Sequence, residues 1–156
     1  MVNTKRMIAA AVLVGLVGAT ALAQSSDPLI GTWKLNVAKS KGISFKSGTS
    51  KIEAAGAGVM FTVDLVSADG TPYHWTFTAN YDGKDNPVTG NSPYGDTTAL
   101  ERVDAKTTRI ISKLAGKVVT TQTIVVSGDG TTRTTTTKGT DAKGQKVDTV
   151  SFYEKQ

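Results

Sequence analysis

His74 is the chain's one histidine and no cysteine occurs, so a metal site would need oxygen ligands or a single imidazole helped by carboxylates. The nearest acidic residues in sequence, Asp64 and Asp69, belong to the preceding strand and its turn. A histidine on the polar face of a strand is the ordinary reading, and haem ligation through it has no supporting motif. Asp82, Asp85, Asn86, Asn91 and Asp96 gather oxygen ligands around a Pro/Gly-rich stretch, chemistry that would suit calcium. Their spacing does not match a calcium loop, and Asp, Asn, Gly and Pro are normal turn residues. Serine and threonine are abundant, yet a nucleophile needs a base and His74 sits in no serine-hydrolase context. Glu53, Glu101, Glu154 and the scattered aspartates single out no carboxylate pair for glycoside hydrolysis. The sequence therefore names no catalytic residue, no metal ligand and no cofactor, and gives an enzyme no support.

What it offers instead is a surface. Tyr73, Trp75, Phe77, Ala79 and Tyr81 alternate with His74, Thr76, Thr78 and Asn80, the period of a strand with one apolar and one polar face. Val59, Phe61, Val63 and Leu65 repeat the pattern, as do Trp33 and Leu35. Threonine makes up 22 of the 133 residues from Gln24 onward, and Thr131, Thr132, Thr134, Thr135, Thr136 and Thr137 put hydroxyls on both faces of one strand. A hydroxyl turned inward needs a partner, so that side of the core is either wet or lined for a ligand. An aromatic wall facing a hydroxyl wall is the make-up of a small-ligand pocket, with Trp33, Phe61, Trp75, Phe77 and Tyr153 as candidate ligand-binding residues. The alternative is plain core packing in a small barrel.

Turn signals separate these stretches at short spacing: Gly56-Ala57-Gly58, Asp69-Gly70, Asp82-Gly83, Ala115-Gly116, Gly128-Asp129-Gly130 and Lys143-Gly144. Between them lie strands expected near Gly31–Val37, Ser50–Ala55, Val59–Val66, Tyr73–Tyr81, Thr97–Asp104, Arg109–Leu114, Lys117–Ser127, Thr131–Lys138 and Gln145–Tyr153. Short sequential connections predict an all-β fold, an antiparallel up-and-down β-barrel of about 8–10 strands, which avoids exposed edges. Asn86–Asp96 is long enough for a Greek-key crossover, so a β-sandwich is the alternative.

Residues 1–23 carry the three parts of a secretory signal peptide: Lys5 and Arg6, an apolar run from Met7 to Val17, and Ala21-Leu22-Ala23. Cleavage between Ala23 and Gln24 would leave residues 24–156 as a single domain, periplasmic or secreted, without a transmembrane segment. Losing Lys5 and Arg6 reduces 18 basic residues to 16 against 13 acidic, a net charge of +3. That is too mild for nucleic acid, and a monomer is expected. Lys39, Lys41, Lys46 and Lys51 form the nearest thing to a basic cluster, read as a solvated loop.

Gly31-Thr32-Trp33-Lys34-Leu35 at the first strand and Phe152-Tyr153-Glu154-Lys155 at the last resemble the two ends of calycin barrels, the lipocalins and fatty-acid-binding proteins. The chain also resembles a group of small exported bacterial proteins of unassigned function. It shares their Asp-Pro-x-x-Gly-Thr-Trp-Lys-Leu-Asn, here Asp27 to Asn36, and their Tyr-Asp-Gly-Lys-Asp-x-Pro-Val-Thr-Gly, here Tyr81 to Gly90. The calycin resemblance implies a barrel that binds a small, partly apolar molecule without catalysis. It departs from fatty-acid-binding proteins in lacking a helical lid and in placing Ser151 where their carboxylate-holding arginine stands. The lipocalin pattern further implies a late-strand arginine packed on the Trp33 indole, either Arg133 or Arg109. The second functional expectation is an envelope interaction, inhibitor or accessory scaffold protein acting through loops near Lys39–Lys51 and Asn86–Asp96.

Overall fold

The computed structural model describes residues 27–156, so the signal segment and its cleavage site lie outside the described residues. Alternating apolar residues and tight turns produce eleven strands: β1 (Gly31–Lys41), β2 (Phe45–Ala55), β3 (Gly58–Ser67), β4 (Pro72–Ala79), β5 (Asp82–Pro87), β6 (Thr89–Gly90), β7 (Thr97–Arg102), β8 (Thr107–Leu114), β9 (Lys117–Val126), β10 (Thr132–Thr140) and β11 (Lys146–Lys155). Nine match the expected segments. The other two were not expected: β5 begins in the Asp82-Gly83 segment read as a turn and runs into the Asn86–Asp96 stretch, and β6 lies within that stretch. Among the described residues no helix is long and apolar enough to cross a membrane.

Four of the turns share one chemical device, an aspartate that collects the backbone N–H groups left over when a hairpin reverses. Between β3 and β4, Asp69 accepts from the Ser67 hydroxyl and from the Thr71 N–H at 2.9 Å. Between β9 and β10 the same Ser-x-Asp-Gly-Thr pattern recurs, with Asp129 accepting from Ser127 at 2.6 Å and Thr131 at 3.0 Å. Asp104 and Asp141 cap the β7–β8 and β10–β11 turns in the same way.

All strands pair antiparallel in one sheet, in the order β5-β7-β8-β9-β10-β11-β1-β2-β3-β4-β6. The strands at the two ends of that order, β5 and β6, are consecutive in the chain, so Asp82–Gly90 stitches the sheet's edges together. Asn86 and Pro87 pair with Thr98 and Thr97 of β7, whereas Thr89 and Gly90 pair with Thr76 and Trp75 of β4. The result is a nearly closed up-and-down barrel. The two-layer sandwich is overturned because the Asn86–Asp96 stretch bonds to both neighbours instead of crossing between layers. Gly90 is needed at the seam: its φ is 107°, and a Cβ there would lie 2.2 Å from the His74 carbonyl oxygen.

Strands β1 and β11 run side by side, with Leu35 opposite Tyr153 and Trp33 opposite Lys155. At this end the barrel is sealed. Trp33 is fully buried, its Nε1–H donating to the Leu29 carbonyl at 2.8 Å. The Leu29 N–H in turn donates to Asp27 Oδ1 at 3.0 Å. Asp27 Oδ2 accepts from both the Tyr81 hydroxyl and Arg102, whose guanidinium lies 3.7 Å from the Tyr81 ring. A short N-terminal segment is thereby clasped across the closed end.

Candidate functional site

Because side chains alternate along a strand, each strand contributes every second residue to the interior. Strands β3 and β4 supply Phe61, Val63, Leu65, Trp75 and Phe77, with the Phe61 and Phe77 rings stacked at 4.7 Å. Across the barrel, β7, β8 and β10 supply Thr98, Ser112, Thr135 and Thr137, all buried. Between the two walls lies a cavity of about 60 Å³, room for on the order of four water molecules. Of the six threonines on β10, two, Thr135 and Thr137, turn their hydroxyls inward.

Four of the five candidate wall residues, Phe61, Trp75, Phe77 and Tyr153, face this cavity. Trp33 does not; it belongs to the seal beneath. Arg133 is the arginine that packs against it, with the guanidinium carbon 5.3 Å from the Trp33 ring and 4.4 Å from the Tyr153 ring. Arg109 instead points outward to Glu101 at 3.3 Å. Ser151 also lines the cavity and brings no charge.

The floor of the cavity is electrostatically unusual. Arg133 is only 4% exposed, and its Nε and Nη1 are buried with no hydrogen-bond partner. Burial pulls its pKa down to about 10, with the Tyr153 phenol pulling the other way. Ser50 Oγ and Thr135 Oγ1, both in the cavity lining, are buried and unpartnered as well.

No family model and no curated protein matches the chain. Phe45 and Tyr94 line both the inner cavity and an open groove of about 620 Å³ at the opposite end from Trp33. These rings are the partition between the two spaces, Phe45 edge-on to Tyr73 and Tyr94 edge-on to Trp75, each at 6.1 Å. Burial pushes the Tyr94 phenol up. Neither ring carried a signal in the sequence, since Phe45 precedes the expected strand and Tyr94 lies in a Pro/Gly-rich loop.

The remaining candidates are occupied with structure. His74 Nδ1 lies 2.7 Å from Asp64 Oδ1 on the outer face, with both side chains about 60% exposed. In the loop considered for calcium, Asp82 accepts from the Lys84 N–H, Asp85 pairs with Lys113, and Asp96 accepts from the Ala115 N–H. Asn91 accepts from the His74 N–H at 2.6 Å and donates to the Pro72 carbonyl, fastening the seam. Two of the four clustered lysines are paired, Lys39 with Glu154 and Lys51 with Glu53.

Proposed function

We propose that this protein is an exported, lipocalin-like carrier that holds a small, partly apolar molecule inside its barrel without transforming it. The observation that supports this reading is the two-walled interior: stacked aromatics on one side, inward hydroxyls on the other, and the Ser50 and Thr135 hydroxyls unpartnered around a cavity. A barrel selected only for stability would fill that space with aliphatic side chains, because each buried hydroxyl left unbonded costs about 1–3 kcal/mol. Export rests on the composition of residues 1–23.

The cavity's size sets the size of the guest. At about 60 Å³ it is well below the roughly 300 Å³ of a drug-sized site, so a molecule of a few heavy atoms fits with Phe45 and Tyr94 as they stand. A larger one requires Phe45 and Tyr94 to swing toward the groove. That same small volume favours the second reading, a filled scaffold working through its loops.

Titration of the uniformly ¹⁵N-labelled protein with 1-butanol separates the two. A carrier shows saturable shifts at amides of the cavity strands, including Ile124 and Thr135. These shifts vanish in Ser112→Leu, which fills the space from the hydroxyl wall. Absence of saturable shifts in the parent protein, or shifts undiminished by Ser112→Leu, supports the scaffold. Native mass spectrometry of the protein from its own host then identifies the natural guest.

A further inference from the structure

Three arginines lie among the described residues, and two of them find carboxylates: Arg102 with Asp27, Arg109 with Glu101. Arg133 has none. It is the most buried of the three, at 4% exposed, and it borders the cavity. A guanidinium stripped of water and left without a counter-charge is costly to bury. Its contacts with the Tyr153 and Trp33 rings, at 4.4 and 5.3 Å, return part of this through cation–π attraction. They do nothing for the N–H groups at Nε and Nη1, which point at no acceptor. The same surroundings hold two more unpartnered donors, the hydroxyls of Ser50 and Thr135. The Tyr153 phenol is the one side-chain oxygen bonded to this guanidinium; buried groups able to donate, gathered around a positive charge with no carboxylate to balance it, are complementary to an anion.

We propose that the barrel interior is a site for a small carboxylate, its head group held by Arg133 with Ser50 and Thr135, and its short apolar tail against Phe61 and Phe77. This inference deepens the carrier reading and rests on it. One guanidinium supplies one positive charge, which a carboxylate monoanion neutralises; a phosphate dianion would remain half-unpaired in a half-apolar space. The volume of about 60 Å³ limits the tail to a few carbons. Ser151, on the strand next to β10, faces the same space without charge, so the guanidinium of Arg133 is the electrostatic anchor.

The test compares butyrate, butyramide and 1-butanol on the same ¹⁵N-labelled protein at pH 7, with Arg133→Met and Arg133→Lys as variants. Butyrate should bind at least 10-fold more tightly than its neutral isostere butyramide, and Arg133→Met should erase that preference while 1-butanol still binds. Arg133→Lys should retain part of the preference. If Arg133 serves only to clamp Trp33 and Tyr153, Arg133→Met lowers the melting temperature and leaves the butyrate-to-butyramide ratio unchanged. An anion site gives the opposite pattern, a ligand-free melting temperature equal to or above the parent's, because an unpaired buried charge has been removed. Equal affinity for butyrate and butyramide in the parent protein, which needs no variant to fold, overturns the carboxylate site while 1-butanol binding leaves the carrier standing. If none of the three binds, both fall.

Discussion

Asp27 is expected to be the strongest single fastening of the closed end, and Asp27→Ala is its test. The carboxylate takes the Leu29 N–H on one oxygen and the Tyr81 hydroxyl and Arg102 on the other, with side-chain exposures of 15% for Asp27 and 27% for Arg102. Hydrogen bonds to a charged group contribute about 1.5–3 kcal/mol each when shielded. Partial exposure and shared geometry reduce the sum, so a loss of about 3 kcal/mol is expected. For a domain of this size that lowers the melting temperature by about 10 °C. Asp27→Asn keeps an acceptor for Leu29 and loses only the charge, at a cost of about 1.5 kcal/mol.

The assay is equilibrium urea unfolding followed by tryptophan fluorescence, which reports on Trp33 because its indole donates to the carbonyl of Leu29. A double-mutant cycle with Arg102→Met should give a coupling of about 1–2 kcal/mol. Acid provides the sign check. Asp27 is desolvated, which raises its pKa, but the bonds from Tyr81, Leu29 and Arg102 together hold it below its ordinary 3.8. Its charge therefore stabilises the fold above the unfolded value, and that contribution disappears as pH falls through the lower folded value. The gap between parent and Asp27→Asn should be full at pH 7 and narrow toward pH 2. A loss under about 0.5 kcal/mol for Asp27→Ala, or strict additivity with Arg102→Met, refutes the clasp.

Gly90→Ala should open the seam between β4 and β6, since the added methyl meets the His74 carbonyl at 2.2 Å and the backbone sits at φ 107°. About 2 kcal/mol of destabilisation is expected, with hydrogen exchange accelerating first at the Asn91 N–H, which bonds to that carbonyl; unchanged protection there counts against a stitched closure. In the hairpin turns, Asp69 and Asp129 are held at about 2 by hydrogen bonds, first from Ser67 and Ser127 and then from Thr71 and Thr131. Carboxylate NMR titration should find both near that value, and their stabilisation should fade as pH drops from about 4 toward 2; midpoints near 3.8 contradict the capping role.

Much of the fold was legible because strands and turns are local. Period-two alternation in Tyr73–Tyr81 and the Asp/Gly turns depend on neighbours in sequence, so nine strands and their order followed directly. The seam was not legible. Asp82–Gly90 has no apolar alternation, and its pairing with β7 on one side and β4 on the other exists only once the sheet has curled far enough to bring both within reach.

The candidate site divides the same way. Phe61, Trp75 and Phe77 were readable as inward-facing from alternation alone, Tyr153 from the resemblance of the last strand, and the threonine run announced a wall either wet or lined for a ligand. That Arg133 faces inward with no counter-charge was decided by tertiary structure. An arginine looks the same in sequence whether it meets a carboxylate, as Arg109 meets Glu101 across a strand pair, or an empty space. Pairing is a matter of which groups from distant segments converge, and buried charge acquires its energetic meaning only from those groups.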